Sequence, residues 1–227
     1  MTLYTAVGIL RNKNSAEGKY PQIAVNEKEH NVDMCEMLIW TILSWRILPM
    51  SEIEKMFHNR IAQLCVTPDM SLKAYVDRLI SKGLIVSGAG ETEADALYDL
   101  VGDLYIVPTE SSFFTTALVF LKIVFVDRTP IKSAARVFNF DKRSENERRI
   151  MNIAKQALLS TAEIIKCVEI GCFDLSTDEK VMDALYDDNY TTCDNLFWTA
   201  KYFKSQRAVL TAVVNLYINK QILFQRI

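Results

Sequence analysis

The side chains with the clearest chemical potential in this sequence are two groups of cations that could contact the phosphates of nucleic acid. One group lies on and before a predicted helix at residues 72–82, and the other lies at residues 142–149. Lys and Arg neutralise phosphates, and Asn and Arg can also bind base edges. The candidate DNA-binding residues are Lys73, Arg78, Lys82, Asn59, Arg60, Lys142, Arg143, Arg148 and Arg149.

Motifs of known catalytic sites are absent from the sequence. Gly88-Ala-Gly90 lacks the third glycine and the following Lys of a phosphate-binding loop. His30 and His58 have no Cys or second His at metal-ligand spacing. We therefore expect no enzyme activity, no metal and no cofactor. The alternative is an active site that assembles only in three dimensions.

Composition and cysteine content predict a cytoplasmic globular protein. Half of the 227 residues are hydrophobic, which is enough to build a core without disulfides. The five cysteines, an odd number, suggest free thiols in a reducing compartment. The N-terminal residues lack the pattern of a signal peptide. The most apolar run, Phe113–Val126, is interrupted by Lys122 and is too short to cross a membrane.

Three amphipathic helices are predicted between residues 31 and 82. Apolar residues recur at helical spacing in Val32–Trp45, from Ser51 to about Leu64, and in Leu72–Lys82. The predicted caps, all short polar residues or glycine, are Asn31, Ser51 with Glu54, Asp69 or Ser71, and Gly83.

Two β-prone runs joined by glycines follow the third helix. Leu84–Ser87 is predicted to form a strand, and Gly88–Gly90 a flexible loop. Leu97–Val107 is predicted to form one or two return strands, with a bulge or turn at Gly102.

The N-terminal residues 1–30 are predicted to form a β-hairpin or a mobile arm. The β-prone runs Leu3–Leu10 and Gln22–Val25 flank a polar stretch, as expected for a hairpin with a long loop.

The C-terminal half is predicted to be helical. Ser144–Ile170 has the longest apolar periodicity and is predicted to be one helix, either paired in a dimer or buried in a monomer. Three more helices are predicted at Thr177–Tyr186, Thr192–Tyr202 and Gln206–Asn219. The segment starting at Val214 resembles the one starting at Val76, with Lys220 opposite Lys82. This similarity favours either a second helix-turn-helix-like unit or a plain helical bundle.

The order of elements in residues 31–110 resembles winged helix-turn-helix regulators of the broad MarR or PadR type. The similarity is carried by Leu38–Leu43, Ser51–Phe57 and Leu72–Ile85, followed by Gly88-Ala-Gly90. It implies a mainly α fold in which a winged-helix domain, three helices and a small β-wing, is followed by a helical C-terminal domain at 111–227. It also implies a homodimer, since such regulators read two-fold-related half-sites.

The charge distribution leads to two functional hypotheses. Residues 31–110 carry six Lys and Arg against twelve Asp and Glu, and residues 122–149 carry eight against four. An acidic wing would repel the DNA backbone. The leading hypothesis is a DNA-binding transcriptional regulator that uses the third helix and the later basic stretch. The alternative is a protein-interaction or scaffold module with a winged-helix fold that does not bind DNA.

Overall fold

The chain folds as a mixed α/β protein in which helices surround small antiparallel sheets. The computed structural model describes residues 1–15, 18–26, 28–109, 143–188 and 190–226. The helices are α1 (Met34–Leu43), α2 (Met50–Leu64), α3 (Leu72–Ser81), α4 (Glu93–Val101), α5 (Glu145–Gln156), α6 (Thr161–Ile170), α7 (Asp178–Tyr186), α8 (Cys193–Ala200) and α9 (Gln206–Ile218). The strands are β1 (Thr2–Ala6), β2 (Ile9–Ser15), β3 (Gly18–Val25), β4 (Lys28–Asn31), β5 (Leu48–Pro49), β6 (Ile85–Ala89), β7 (Tyr105–Pro108) and β8 (Ile222–Gln225).

The first strand of the chain is the centre of a three-stranded sheet. β1 pairs antiparallel with β5 on one side and with β6 on the other. Helices α1, α2 and α4 pack against this sheet. Residues 2–6 are therefore bonded to elements predicted to belong to the winged-helix region.

A separate antiparallel meander, β2-β3-β4, follows β1. β2 and β3 pair from Ile9 with Ala24 to Ser15 with Gly18, so a hairpin is present, but much of it is formed by residues predicted to be its loop. The predicted first strand, Leu3–Leu10, is divided between β1, which pairs in the other sheet, and β2. β1 and β2 are separate strands because the chain bends at Gly8, which has a φ of +92°.

The chain has two similar halves, the first containing β1 and β6 and the second containing β7 and β8. The pairing of β7 with β8 has the same register as the pairing of β1 with β6. Tyr105 of β7 also forms a β-bridge with Ser160 on its other side. This bridge corresponds to the pair of Leu3 with Pro49 in the first half. The matching central pairs are Leu3–Gly88 with Tyr105–Gln225, Tyr4–Ser87 with Ile106–Phe224, Thr5–Val86 with Val107–Leu223, and Ala6–Ile85 with Pro108–Ile222.

Helix caps follow the same plan in both halves. Asp33 and Ser144 are the N-cap residues of α1 and α5, and each takes part in a capping box. In each half this helix precedes the residue that pairs with the central strand, Pro49 or Ser160. Pro49 and Ser160, which pair with the central strands, are the N-cap residues of α2 and α6. The spacing from Asp33 to Pro49 equals that from Ser144 to Ser160, so the order of helix, paired residue and helix occurs in both halves. The paired residue lies in strand β5 in the first half and forms an isolated β-bridge in the second.

The helices that lead into the return strands end in the same motif. After α3, Gly83 takes a φ of +72° and the Leu84 N–H bonds the Leu79 carbonyl. After α9, Lys220 takes a φ of +60° and the Gln221 N–H bonds the Leu216 carbonyl. The similarity between the segments that start at Val76 and Val214 is thus present in the structure. The predicted alignment of the two segments was wrong by one residue, because Lys220 matches Gly83 and not Lys82.

The predicted β-wing is wrong. Glu93–Val101 forms helix α4, capped by Thr92, and β7 pairs with β8 rather than with β6. The apolar residues of this segment also recur at helical spacing, which the alternating pattern obscured. Gly88 lies in β6 and is not a flexible loop residue, because a Cβ there would lie 2.2 Å from the Leu100 nitrogen of α4.

Several predicted helix boundaries also differ. α1 is capped by Asp33 and not by Asn31, and α2 begins at Met50 without the capping box expected at Ser51. The long helix predicted for Ser144–Ile170 is two helices, because Ala157 is extended and Ser160 caps α6. The N-cap at Ser71 and the three C-terminal helices are confirmed to within two residues. The apolar run Phe113–Val126 lies outside the described residues.

One hydrophobic core joins the two halves. Tyr217 of α9 is buried between them, and its hydroxyl lies 2.9 Å from Thr5 Oγ1. The backbone N–H of Trp45 donates to the same hydroxyl at 3.0 Å, and the Phe224 ring packs on Tyr217 with centroids 4.4 Å apart. The sheet of the first half is therefore fixed to the last helix.

Candidate interaction surface

Two of the predicted DNA-binding cations on α3 are held by a buried carboxylate. Arg78 Nε donates to Glu36 Oε1 at 2.6 Å, and Lys82 Nζ contacts both Glu36 oxygens at 2.7 and 2.9 Å. Arg78 also pairs with Asp33. Glu36 is 1% exposed. We call these four residues the α3 cluster.

The capping box of α1 positions this carboxylate. Glu36 is the third residue of the helix and accepts the Asp33 N–H at 2.9 Å, which leaves its oxygens facing α3. Burial alone would raise the pKa of Glu36, but the hydrogen bonds from Lys82, Arg78 and Asp33 outweigh it and lower the pKa. Glu36 is therefore ionised near neutral pH, and it neutralises cations that a DNA-reading helix would need.

Other predicted DNA-binding residues of the first half lie in solvent. Lys73, Asn59 and Arg60 are exposed, and Arg60 contacts only the Gln63 side chain among its described neighbours, at 3.4 Å. The exposed face of α3 also carries Asp77. This face is close to neutral and is not strongly positive.

The second predicted group of cations is dispersed. Lys142 lies outside the described residues, and Arg143 donates to the Gln221 side chain. Arg148 is exposed, whereas Arg149 pairs with Glu145 and lies 5.5 Å from the centroid of the Phe173 ring. These residues lie at the start of α5, which packs on α9 and β7, whereas α3 packs on α1 and β6.

Three acidic residues of the segment predicted to form the wing, Glu91, Asp95 and Asp99, line a cleft between α4 and α8. The cleft has a volume of about 350 Å³ and is formed by Glu91, Asp95, Asp99, Phe197, Trp198, Lys201 and their neighbours. We call it the acidic cleft. Its three carboxylates face one cation, Lys201, whose Nζ lies 3.3 Å from Asp95 Oδ1. Hydrogen bonds from Thr92 and Lys201 lower the pKa of Asp95, so its carboxylate is ionised.

Aromatic rings form the other wall of the acidic cleft. The Tyr98 and Phe197 rings lie 5.0 Å apart, and Trp198 packs edge-on against Phe197 at 5.1 Å. Trp198 is 65% exposed, and Tyr202 beyond it is 84% exposed. Carboxylates beside an exposed indole attract ammonium and guanidinium groups through charge and cation–π contacts. Sequence reasoning missed this aromatic wall, although Phe197-Trp198 in a predicted helix was a visible signal.

The described part of the chain contains no group of three His, Cys, Asp or Glu side chains that could hold a metal ion. Cys35, Cys65, Cys167 and Cys172 are free thiols, as predicted. None of the helices in the described ranges has both the length and the hydrophobicity of a membrane span.

The comparisons with known proteins add no assignment to this geometry. No protein-family model, curated protein or solved structure matches the chain.

Proposed function

We propose that this chain is a protein-docking module made of two winged-helix-like halves, and that its acidic cleft binds a basic segment of a partner protein. The order α1-β5-α2-α3-β6 supports the winged-helix comparison. In a winged helix the central strand of the sheet is the return strand of the wing, which follows the helices. In this chain β1 occupies the central position, although it precedes the helices in sequence. The second half supports the same comparison through its matching register.

The observation that carries the proposal is the neutralisation of α3 by Glu36. A helix that reads DNA needs free cations, since each phosphate contact contributes to affinity. Arg78 and Lys82 are instead bound to a carboxylate of their own chain. The acidic residues next in the sequence lie on α4, so no basic hairpin follows α3.

Charge complementarity indicates the chemistry of the partner. Three carboxylates and one ammonium group, that of Lys201, line the acidic cleft, and an exposed Trp198 lies beside them. The N-terminal ammonium of Met1 donates to the carbonyl of Gly90 at the cleft, so the carboxylates still outnumber the cations. Surface charge of one sign steers a partner of the opposite sign, and aromatic residues are frequent anchors of protein interfaces. A segment with Arg or Lys side chains fits both features.

A fluorescein-labelled peptide of alternating Arg and Gly tests this proposal by fluorescence anisotropy at low salt. The unmodified protein is expected to bind it saturably. The double variant E91Q/D99N removes two cleft charges and is expected to weaken binding about tenfold. Trp198→Ala removes the cation–π wall and is expected to weaken binding about threefold.

The control is D178N/E179Q, which makes the same change of charge on exposed positions of α7, away from the acidic cleft. It is expected to leave peptide affinity within about twofold, because long-range charge is screened. Equal losses in both double variants would mean general electrostatic attraction and would contradict the proposal.

A DNA-binding transcriptional regulator is the second candidate. It is favoured by exposed cations that form no salt bridge among the described residues: Lys73 and Arg60 in the first half and Arg148 at the start of α5. Titration with random duplex DNA at low and at raised salt separates the two functions. Salt-sensitive binding that K73A/R60A weakens would support the regulator, and no binding at low salt would exclude it.

A further inference from the structure

A second cavity lies between the two halves and is separate from the acidic cleft. It has a volume of about 600 Å³ and is lined by the end of α1, the start of β2 and the α9–β8 connection. That volume is in the range of small-molecule sites in proteins. The cavity and the acidic cleft share no lining residue in the described ranges.

The walls of this cavity are mainly aromatic and aliphatic. Trp40, Trp45 and Phe224 contribute rings, and Leu10 and Ile218 contribute aliphatic groups that are about half exposed at the rim. The Trp45 indole N–H is buried and has no hydrogen-bond acceptor among the described residues. Buried donors without a partner are rare in folded proteins, and a ligand oxygen that reached this one would satisfy it.

The charged groups that line the cavity are both cations. Lys220 Nζ lies 5.4 Å from the centroid of the Trp45 ring, and Arg46 is exposed beside it. Neither side chain has a carboxylate partner in the part of the chain that the structure describes, and no described acidic residue lines the cavity. The electrostatics therefore favour an anionic group at the rim.

Comparison of the two halves indicates that Lys220 has a role beyond closing a helix. The matching residue of the first half is Gly83, which adopts the left-handed conformation without strain. Lys220 adopts that conformation at a steric cost, and Trp45 does so as well, with a φ of +56°. Strained residues persist where the surroundings impose them, and they cluster at binding sites.

We propose that the cavity binds a small organic anion with an apolar body, such as a fatty or aromatic carboxylate. The apolar body lies between the Trp and Phe rings, and the carboxylate lies against Lys220. The cavity is separate from the acidic cleft, whose carboxylates would repel the same anion. The proposal is therefore independent of the protein-docking function.

The fluorescent probe 1-anilinonaphthalene-8-sulfonate tests the site, since it combines an aromatic body with a sulfonate. We expect saturable binding at one site per chain and displacement by decanoate. Lys220→Gly removes the cation and keeps the backbone conformation, so it is expected to fold as stably as the unmodified protein. It should bind decanoate about tenfold more weakly and bind the uncharged decanol with unchanged affinity.

Two further variants complete the test. Leu10→Trp fills the rim of the cavity and is expected to abolish probe binding. Lys204→Ala removes an exposed cation that does not line the cavity and is expected to change nothing. Absence of saturable probe binding, or equal decanoate affinity in the unmodified protein and in Lys220→Gly, would overturn the proposal.

Discussion

Replacing Glu36 by Gln is the sharpest test of the α3 cluster. Gln keeps the size of the side chain and an oxygen for the Asp33 N–H, but it removes the charge that holds Arg78 and Lys82. Glu36 is 1% exposed, and its loss leaves Lys82 without a carboxylate partner, whereas Arg78 keeps its pair with Asp33. We expect the free energy of unfolding at pH 7 to fall by about 2–3 kcal/mol, mostly through Glu36 and Lys82. Arg78 is open to solvent and adds little.

The second half of the chain supplies a matched control. Glu147 closes the capping box of α5 as Glu36 closes that of α1, and it contacts α9 through Asn215 at 3.1 Å. Its partner is neutral, so Glu147→Gln is expected to cost less than about 1 kcal/mol. Urea unfolding followed by circular dichroism measures both variants.

The pH dependence gives a second readout. The pKa of Glu36 is lowered from its usual value of 4.5 in the folded state, so the unfolded state binds the proton first as pH falls. The stability difference between the unmodified protein and Glu36→Gln should be constant above pH 4.5. It should shrink as pH falls through the lowered pKa. A loss no larger than that of Glu147→Gln, or a difference that does not change at acid pH, would refute this reasoning.

Three other outcomes are expected. Gly88→Ala should destabilise the protein by about 3 kcal/mol or more in urea unfolding, because its Cβ would meet the α4 backbone. As a control, Gly171→Ala should lower the free energy of unfolding by only about 1 kcal/mol, because the φ of Gly171 is +74° but a Cβ there would contact no other atom. Equal losses of stability in the two variants would contradict the packing of α4 on β6. Lys166→Met should cost about 2 kcal/mol in the same assay, since the buried ammonium donates to the Leu185 carbonyl; an unchanged midpoint would rule this out. In the native protein a thiol reagent at pH 8 should modify the exposed Cys65 rapidly and Cys167 hardly at all, because burial raises the pKa of Cys167 to about 12; comparable rates would contradict its burial.

Several helices were predictable from sequence because an apolar face and a cap agreed, but α4 was predicted as strand although Thr92 caps it. Thr177, Thr192 and Ser71 were recognised as caps or as the first residues of helices, and the structure confirms those starts. Ser160 with Glu163 is an equally good signal that was overlooked inside a long periodic stretch. Periodicity alone does not reveal a break when the residues on both sides share one apolar face.

The sheets were far less predictable, because their partners are distant in sequence. β1 pairs with β6, 79 to 87 positions later, and nothing in Thr2–Ala6 indicates that partner. The acidic cleft joins α4 to α8, and the α3 cluster joins Glu36 to Lys82. Such long-range contacts arise from topology, which local patterns do not encode. The repeat was visible in sequence, but a Lys in the position of Gly83 hid its alignment.

The position of each central strand ahead of its helices has a consequence for how the chain folds. During synthesis β1 emerges first but has no long partner until Ile85–Ala89 has been made, and β7 similarly waits for Ile222–Gln225. Contacts of such high sequence separation close slowly. Each half therefore passes through a stage in which its helices exist beside an unpaired strand edge, and that edge can pair with another chain. We expect refolding yield to fall as protein concentration rises, and the first half to be able to close before the second is made.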